Sequence, residues 1–220
     1  MDTIIRIMPI PAEESIWMTV ADASMANVEN KSQGGFVLAL AHESIMKGQA
    51  ADFSLNSWRS HKLKKATLGS EALAMDDALA EVEWTRALWH ELLDPSSCVL
   101  DGSRLGDTES AMVVRLPEHN EDFEIASIRV KDDGTGAHVT DAKALFDLLS
   151  RRSGNAGQCR RAQIDVAVIC ISARLLKVKT YWVPGSQMLA DPLTKRCGNS
   201  MLMRQVMKSA QFSLVKEPGS

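Results

Sequence analysis

The sequence lacks an apolar run of about 18 residues, the length that a membrane-spanning helix needs, so we expect no membrane partner. The N-terminal segment MDTIIRIMPIPAEE has too short an apolar run and too many acids for a secretory signal. The four cysteines form no Cys-x-x-Cys pair, and only five histidines are present. A zinc site is therefore not expected, and reduced thiols favour an intracellular protein, cytoplasmic or nuclear.

The chain also lacks the large positive charge of proteins that bind nucleic acid over their whole surface, since its formal net charge is −3. Local basic patches are nevertheless present. They are WRSHKLKK at 58–65, paired arginines at 151–152 and 160–161, and Lys195-Arg196. Each is either a solvated face or a phosphate contact. The 220 residues, 45% hydrophobic and 24% charged, fit one globular domain, or one with a large insertion.

Three short segments near the N-terminus read as antiparallel strands: 16–21, 34–40 after a Gly-Gly turn, and 53–60. Asp22 is expected to end the first, and the polar connection after it has hairpin character. The spacing of the apolar residues then becomes helical over 67–93, and Asp94-Pro95 is expected to end this helix.

The second half of the chain alternates between strand and helix patterns. It predicts strands at 137–140 and 178–183, a helix from Asp141, a helix at 160–176, and C-terminal helices broken near Pro192. We expect an extension at 1–15, a domain at 16–200 with an insertion at about 95–135, and a C-terminal helix and tail at 201–220. This order predicts an α/β fold with a mixed sheet flanked by helices.

Four acids stand at positions from which they could share one cleft. Asp22 and Asp141 follow strands, Glu71 lies in the first turns of the long helix, and Asp191 follows the last strand. Four converging carboxylates need a cation between them, and Mg²⁺ or Mn²⁺ prefers such oxygen ligands. Two such ions about 4 Å apart would serve phosphodiester hydrolysis.

Each acid has a structural alternative when it is taken alone. Asp22, Asp141 and Asp191 could be turn or helix-cap residues. Glu71 could simply complement the positive end of its helix. All four acids nevertheless lie at the ends of predicted strands or in the first turns of a predicted helix, in an order that favours one shared metal site.

Several segments resemble the ribonuclease H domain of copia-type LTR retrotransposon polyproteins. They are VADASMAN and SQGGFVLAL in the first two strands, the WRSHKLKK segment with its Glu-Ala helix, VTDAKALFDLL, and QIDVAVICISARL. The most specific match is YWVPGSQMLADPLTK, at 181–195. The resemblance covers roughly residues 16–200, interrupted by 95–135.

The resemblance implies a ribonuclease H-like fold: a five-stranded mixed sheet, three strands antiparallel and the rest parallel, flanked by helices. It implies Mg²⁺-dependent cleavage of RNA in RNA–DNA hybrids by two ions held by Asp22, Glu71, Asp141 and Asp191. It also implies association with a reverse transcriptase domain of the same element.

Hybrids are recognised mainly through phosphates and 2′-hydroxyls, which call for polar and basic side chains near the acids. The candidates for these contacts are Ser24, Asn27, Arg59, Lys62, Lys64 and Lys195. Ser24 and Asn27 could instead serve the turn, and His138 is expected to pack in its strand rather than to shuttle protons.

The sequence leaves two further classes of protein open. One is a catalytically silent ribonuclease H-like module that binds hybrids or positions a reverse transcriptase. The other is a nuclease of the same fold that cuts DNA. The complete set of four acids favours an active enzyme, because a silent scaffold has no reason to keep like charges together.

Overall fold

The computed structural model describes residues 4–28, 31–63, 68–93, 136–150, 160–195, 198 and 200–214. The predicted insertion at 95–135 lies outside this set, as does the end of the C-terminal tail. Within these ranges, no helix has both the length and the apolar character needed to cross a bilayer.

In the part of the chain that the structure describes, the sheet has six strands in the order β5-β4-β1-β2-β3-β6. Their bounds are β1 Ser15–Val28, β2 Lys31–His42, β3 Ala51–Leu63, β4 Gly136–Thr140, β5 Val178–Trp182 and β6 Gln211–Phe212. β1, β2 and β3 pair antiparallel, whereas β4 is parallel to both β1 and β5. The predicted α/β class with a mixed sheet is confirmed. The strand count of five was wrong by one, because β6 adds only two residues beside β3, too few to leave a sequence pattern.

Among the described residues, five α-helices cover the two faces of this sheet: α1 Leu68–Leu93, α2 Lys143–Ser150, α3 Arg160–Leu175, α4 Asp191–Thr194 and α5 Ser200–Ser209. On one face, α1 packs on β1 and β2 through Ala74 and Ala78, and its other side packs against α3. On the opposite face, Met203 and Val206 of α5 join Val20 and Val37 in the largest buried cluster.

β1 and β2 extend further than their apolar runs predicted. Asp22 therefore lies inside β1, opposite Gly35 of β2, and does not end the strand. Most of the polar connection after it continues the ladder, with a register irregularity between Ser24 and Val28. Backbone pairing along the hairpin outweighs the polar composition, because ladder hydrogen bonds do not depend on side-chain type.

Gly35 lets α4 lie directly on the sheet. A Cβ at this position would stand 2.7 Å from Leu193 Cβ and 3.0 Å from Thr194 Cγ2. Neither atom is the end of a long flexible side chain, so α4 would have to shift. The Gly-Gly pair in the sequence thus serves close packing inside a strand, and not the turn that the sequence predicted.

We expect Gly35→Ala to destabilise the protein by about 1–3 kcal/mol, since it overpacks the contact with α4. The measurement is the urea midpoint of each variant. Gly34→Ala is the matched control, because its nearest neighbour is Leu63 Cδ1, the tip of a flexible side chain. Equal losses of stability in the two variants would contradict this account of Gly35.

Candidate active site

Two of the four predicted acids are brought together by the register of two parallel strands. Val20 of β1 pairs with Val139 of β4. Asp22 and Asp141 each come two residues later, so their side chains leave the same face of the sheet at the same level. Asp22 is still inside its strand, whereas Asp141 directly follows the end of β4.

Glu71 completes a group of three acids from the first turn of α1. Its carboxylate accepts a hydrogen bond from the backbone N–H of Ala23, which fixes it beside β1. Asp22, Glu71 and Asp141 each offer a carboxylate oxygen, and these oxygens all lie within 4.8 Å of one another. Three residues far apart in sequence thus place like charges in one small volume.

Asp191 is the first residue of α4, and Lys195 connects it to this group of acids. The ammonium group of Lys195 contacts the Asp191 carboxylate one helical turn away. The same Nζ lies 3.4 Å from Asp22 Oδ2. Lys195 therefore supplies positive charge between the first and fourth acids.

Burial and mutual repulsion oppose the ionised form of the three clustered acids. Asp22 is 1% exposed, and this desolvation raises its pKa above the ordinary value. Desolvation, followed by the charges of Asp22 and Asp141, raises the pKa of Glu71 to about 8. The pKa of Asp141 is raised by desolvation and by Asp22. Glu71 therefore retains a proton at neutral pH unless added positive charge compensates the cluster.

The pKa of Lys195 is raised, which keeps its side chain positively charged. Burial acts against the charged form, but the hydrogen bond to Asp191 and the charge of Asp22 outweigh it. Lys195 is thus a cation that belongs to the site itself. The predicted contact of Lys195 with a hybrid stays a prediction.

The other residues predicted to bind substrate differ in their burial and in the face of the sheet on which they lie. The hydroxyl of Ser24 is buried and donates to the carbonyl oxygen of Thr194, at 2.6 Å. Lys62 is exposed opposite Gln33, on the face of the sheet that carries Asp22. Arg59 is exposed opposite Phe36, on the face that carries α1. The side chain of Asn27 and all of Lys64 lie outside the described residues.

The side chain of His138 points away from the acids. It pairs with Thr19 across β4 and β1, and its Nδ1 lies 2.8 Å from Thr19 Oγ1. Strand alternation sends it to the sheet face opposite that of Asp141. Complete burial lowers the pKa of His138 to about 3, so the ring is neutral, in line with the expected packing role.

Sequence reasoning missed the residues that attach α4 to the sheet. Thr194 donates a hydrogen bond from its hydroxyl to Asp22 Oδ2. Ser60 of β3 donates to the carbonyl oxygen of Leu193, at 2.6 Å. The available signals were the position of Thr194 three residues after Asp191, and the alternation that puts Ser60 between Trp58 and Lys62 on one face.

The solved structures that are similar to this chain include the following three. The N-terminal RNase H domain of Rv2228c from Mycobacterium tuberculosis has 14% identity and a TM-score of 0.41, covering 89% of this chain and 98% of its own. LC11-RNase H1, isolated from compost by a metagenomic approach, has 13% identity and a TM-score of 0.45, covering 85% and 98%. Its complex with an RNA/DNA hybrid has 13% identity and a TM-score of 0.43, covering 86% and 99%. No family model and no curated protein matches the sequence.

Proposed function

We propose that this chain is a metal-dependent endoribonuclease that cleaves the RNA strand of RNA–DNA hybrids and derives from a copia-type retrotransposon. One observation supports the catalytic part of this proposal above all. Carboxylate oxygens from Asp22, Glu71 and Asp141 meet within 4.8 Å although the residues are far apart in the sequence. A group of buried and partly buried like charges lowers stability, so its presence favours a functional role.

The donor set fits divalent metal ions. All the clustered ligand atoms are carboxylate oxygens, the hard donors that Mg²⁺ and Mn²⁺ prefer. Burial, followed by the charges of neighbouring acids, raises the pKa values of Asp22, Glu71 and Asp141, and a bound cation would offset both effects. We assign these three residues and Asp191 as the ligands. When bound, two such ions supply activation of the attacking water and stabilisation of the leaving 3′ oxygen.

The chain's own residues prepare the site in complementary ways. Burial of Asp22 excludes water from one side of the cluster and strengthens its electrostatic interactions. Lys195 places a positive charge between Asp22 and Asp191, where it can balance phosphate or carboxylate charge. Lys62 is exposed on the same face of the sheet, and we propose it as a further contact to the backbone of a nucleic acid.

The choice of substrate follows from the resemblance to copia-type ribonuclease H domains, above all from YWVPGSQMLADPLTK. That segment runs from the end of β5 through α4 and carries both Asp191 and Lys195. In the same element, a reverse transcriptase domain would produce the hybrid that this activity removes. We therefore propose that domain as the protein partner.

The test is a gel assay with a hybrid labelled on the RNA strand, incubated with the purified chain and Mg²⁺. We expect endonucleolytic products with 5′-phosphate and 3′-hydroxyl ends, and none when EDTA is present. Double-stranded RNA and single-stranded DNA serve as comparison substrates. Cleavage of single-stranded DNA alone would contradict the proposal that the substrate is an RNA–DNA hybrid. Absence of cleavage with every substrate and metal would favour a catalytically silent ribonuclease H-like module.

A further inference from the structure

α4 is fastened to the sheet at its C-terminal end. Ser24 of β1 and Ser60 of β3 donate hydrogen bonds to the carbonyl oxygens of Thr194 and Leu193, each at 2.6 Å. Gly35, between them on β2, leaves room for the helix to touch the sheet. Three strands thus fix the position of one short helical turn, and with it the side chain of Thr194.

The fixed turn directs the hydroxyl of Thr194 at Asp22. Thr194 is 3% exposed, and its Oγ1 donates to Asp22 Oδ2. The same Oγ1 lies 3.2 Å from the carbonyl oxygen of Asp191, a longer contact. A hydroxyl donates only one hydrogen bond, so Thr194 donates to the nearer acceptor, the carboxylate of Asp22.

We infer that Thr194 is a positioning residue, whose hydroxyl holds the Asp22 carboxylate in the orientation that binds a divalent cation. This inference rests on the proposed function, because it assigns a role within the same metal site. Lys195 also contacts Asp22 Oδ2, but its long, partly exposed chain is less fixed than a buried threonine. Groups that orient metal ligands in this way typically change metal affinity by 10- to 100-fold.

The substitution Thr194→Val removes the hydroxyl and keeps the shape. The methyl group Cγ2 packs beside Gly35 and is present in both side chains. Thr194→Ser does the reverse, since it keeps the donor and loses the methyl group. The control is Thr180→Val, a half-buried position of β5 outside the acidic cluster.

The measurement is Mn²⁺ and Mg²⁺ binding by calorimetry in the absence of nucleic acid. We expect Thr194→Val to weaken binding about 10- to 100-fold, Thr194→Ser to stay within about threefold of the wild type, and Thr180→Val to bind normally. The metal concentration that gives half-maximal hybrid cleavage should rise in Thr194→Val in the same proportion.

The possible failures point to different conclusions. Unchanged metal affinity in folded Thr194→Val would overturn the positioning role and leave the proposed function standing. Equal weakening in Thr194→Ser and Thr194→Val would also overturn it, because the effect would then not depend on the hydroxyl. If Thr194→Val does not fold, near-normal binding by Thr194→Ser and weak binding by Thr194→Ala still support the role. No metal binding by the wild type would remove the metal site itself.

Discussion

Replacing Asp22 by asparagine is expected to lower the rate of hybrid cleavage by at least about 10³-fold while leaving the protein folded. Loss of a single preorganised electrostatic group already costs about 10²–10³ in rate, and a shared metal ligand should cost more. Asp22 also contacts Glu71, Asp141 and Lys195 electrostatically, so it is the centre of the cluster. An amide at this position keeps the size of the side chain but not its charge.

The fold should tolerate this change because the carboxylate is costly to bury. The amide oxygen of asparagine can still accept the hydrogen bond from Thr194, and repulsion with Glu71 and Asp141 falls. In EDTA, we therefore expect Asp22→Asn to melt at or above the temperature of the wild type. Its circular dichroism spectrum should be unchanged.

The matched control is Asp147→Asn on α2, whose carboxylate lies 3.5 Å from Lys143 one turn away on the same helix. That pair is largely exposed and contributes little to stability. The control should retain wild-type cleavage. Unchanged activity in Asp22→Asn, or a loss in Asp147→Asn as large as that in Asp22→Asn, would contradict the assignment of the active site.

The sequence predicted the class of fold and the elements that carry the acids because these depend on local patterns. Short apolar runs identify β1 and β2, alternation identifies β3, and a helical period identifies α1. The convergence of Asp22 and Asp141 could be anticipated from their positions at the ends of two apolar runs. The exact end of β1 could not be anticipated, since pairing with β2 extends the strand past its apolar residues.

The contacts around α4 could not be predicted, because they join residues distant in the sequence. Thr194 and Asp22 are 172 positions apart, and Ser60 and Leu193 are 133 apart. No periodicity relates such pairs. They follow from the packing of α4 on three strands, which depends on Gly35 having no side chain. For the same reason the sequence did not predict that Lys195 Nζ lies beside Asp22. The contact of Lys195 with a substrate stays a prediction.

A second large effect is expected in the dependence of stability on pH. The pKa of Glu71 is about 8 in the folded protein and about 4.5 when the chain is unfolded. Between these values the folded state retains a proton that the unfolded state has released. The free energy of unfolding of the metal-free protein should therefore fall as pH rises from about 5 to about 8, by up to about 1.4 kcal/mol per pH unit from this group.

Urea unfolding in EDTA at several pH values between 5 and 8 measures this slope. Glu71→Gln should flatten it, because glutamine does not titrate, whereas Glu83→Gln, at an exposed position of the same helix, should leave it unchanged. Saturating Mg²⁺ should oppose the decline, since metal binding requires deprotonated carboxylates and stabilises the folded state more at higher pH. A wild-type protein whose stability in EDTA does not fall over this range would show that burial and the neighbouring carboxylates do not raise the pKa of Glu71 as its position requires.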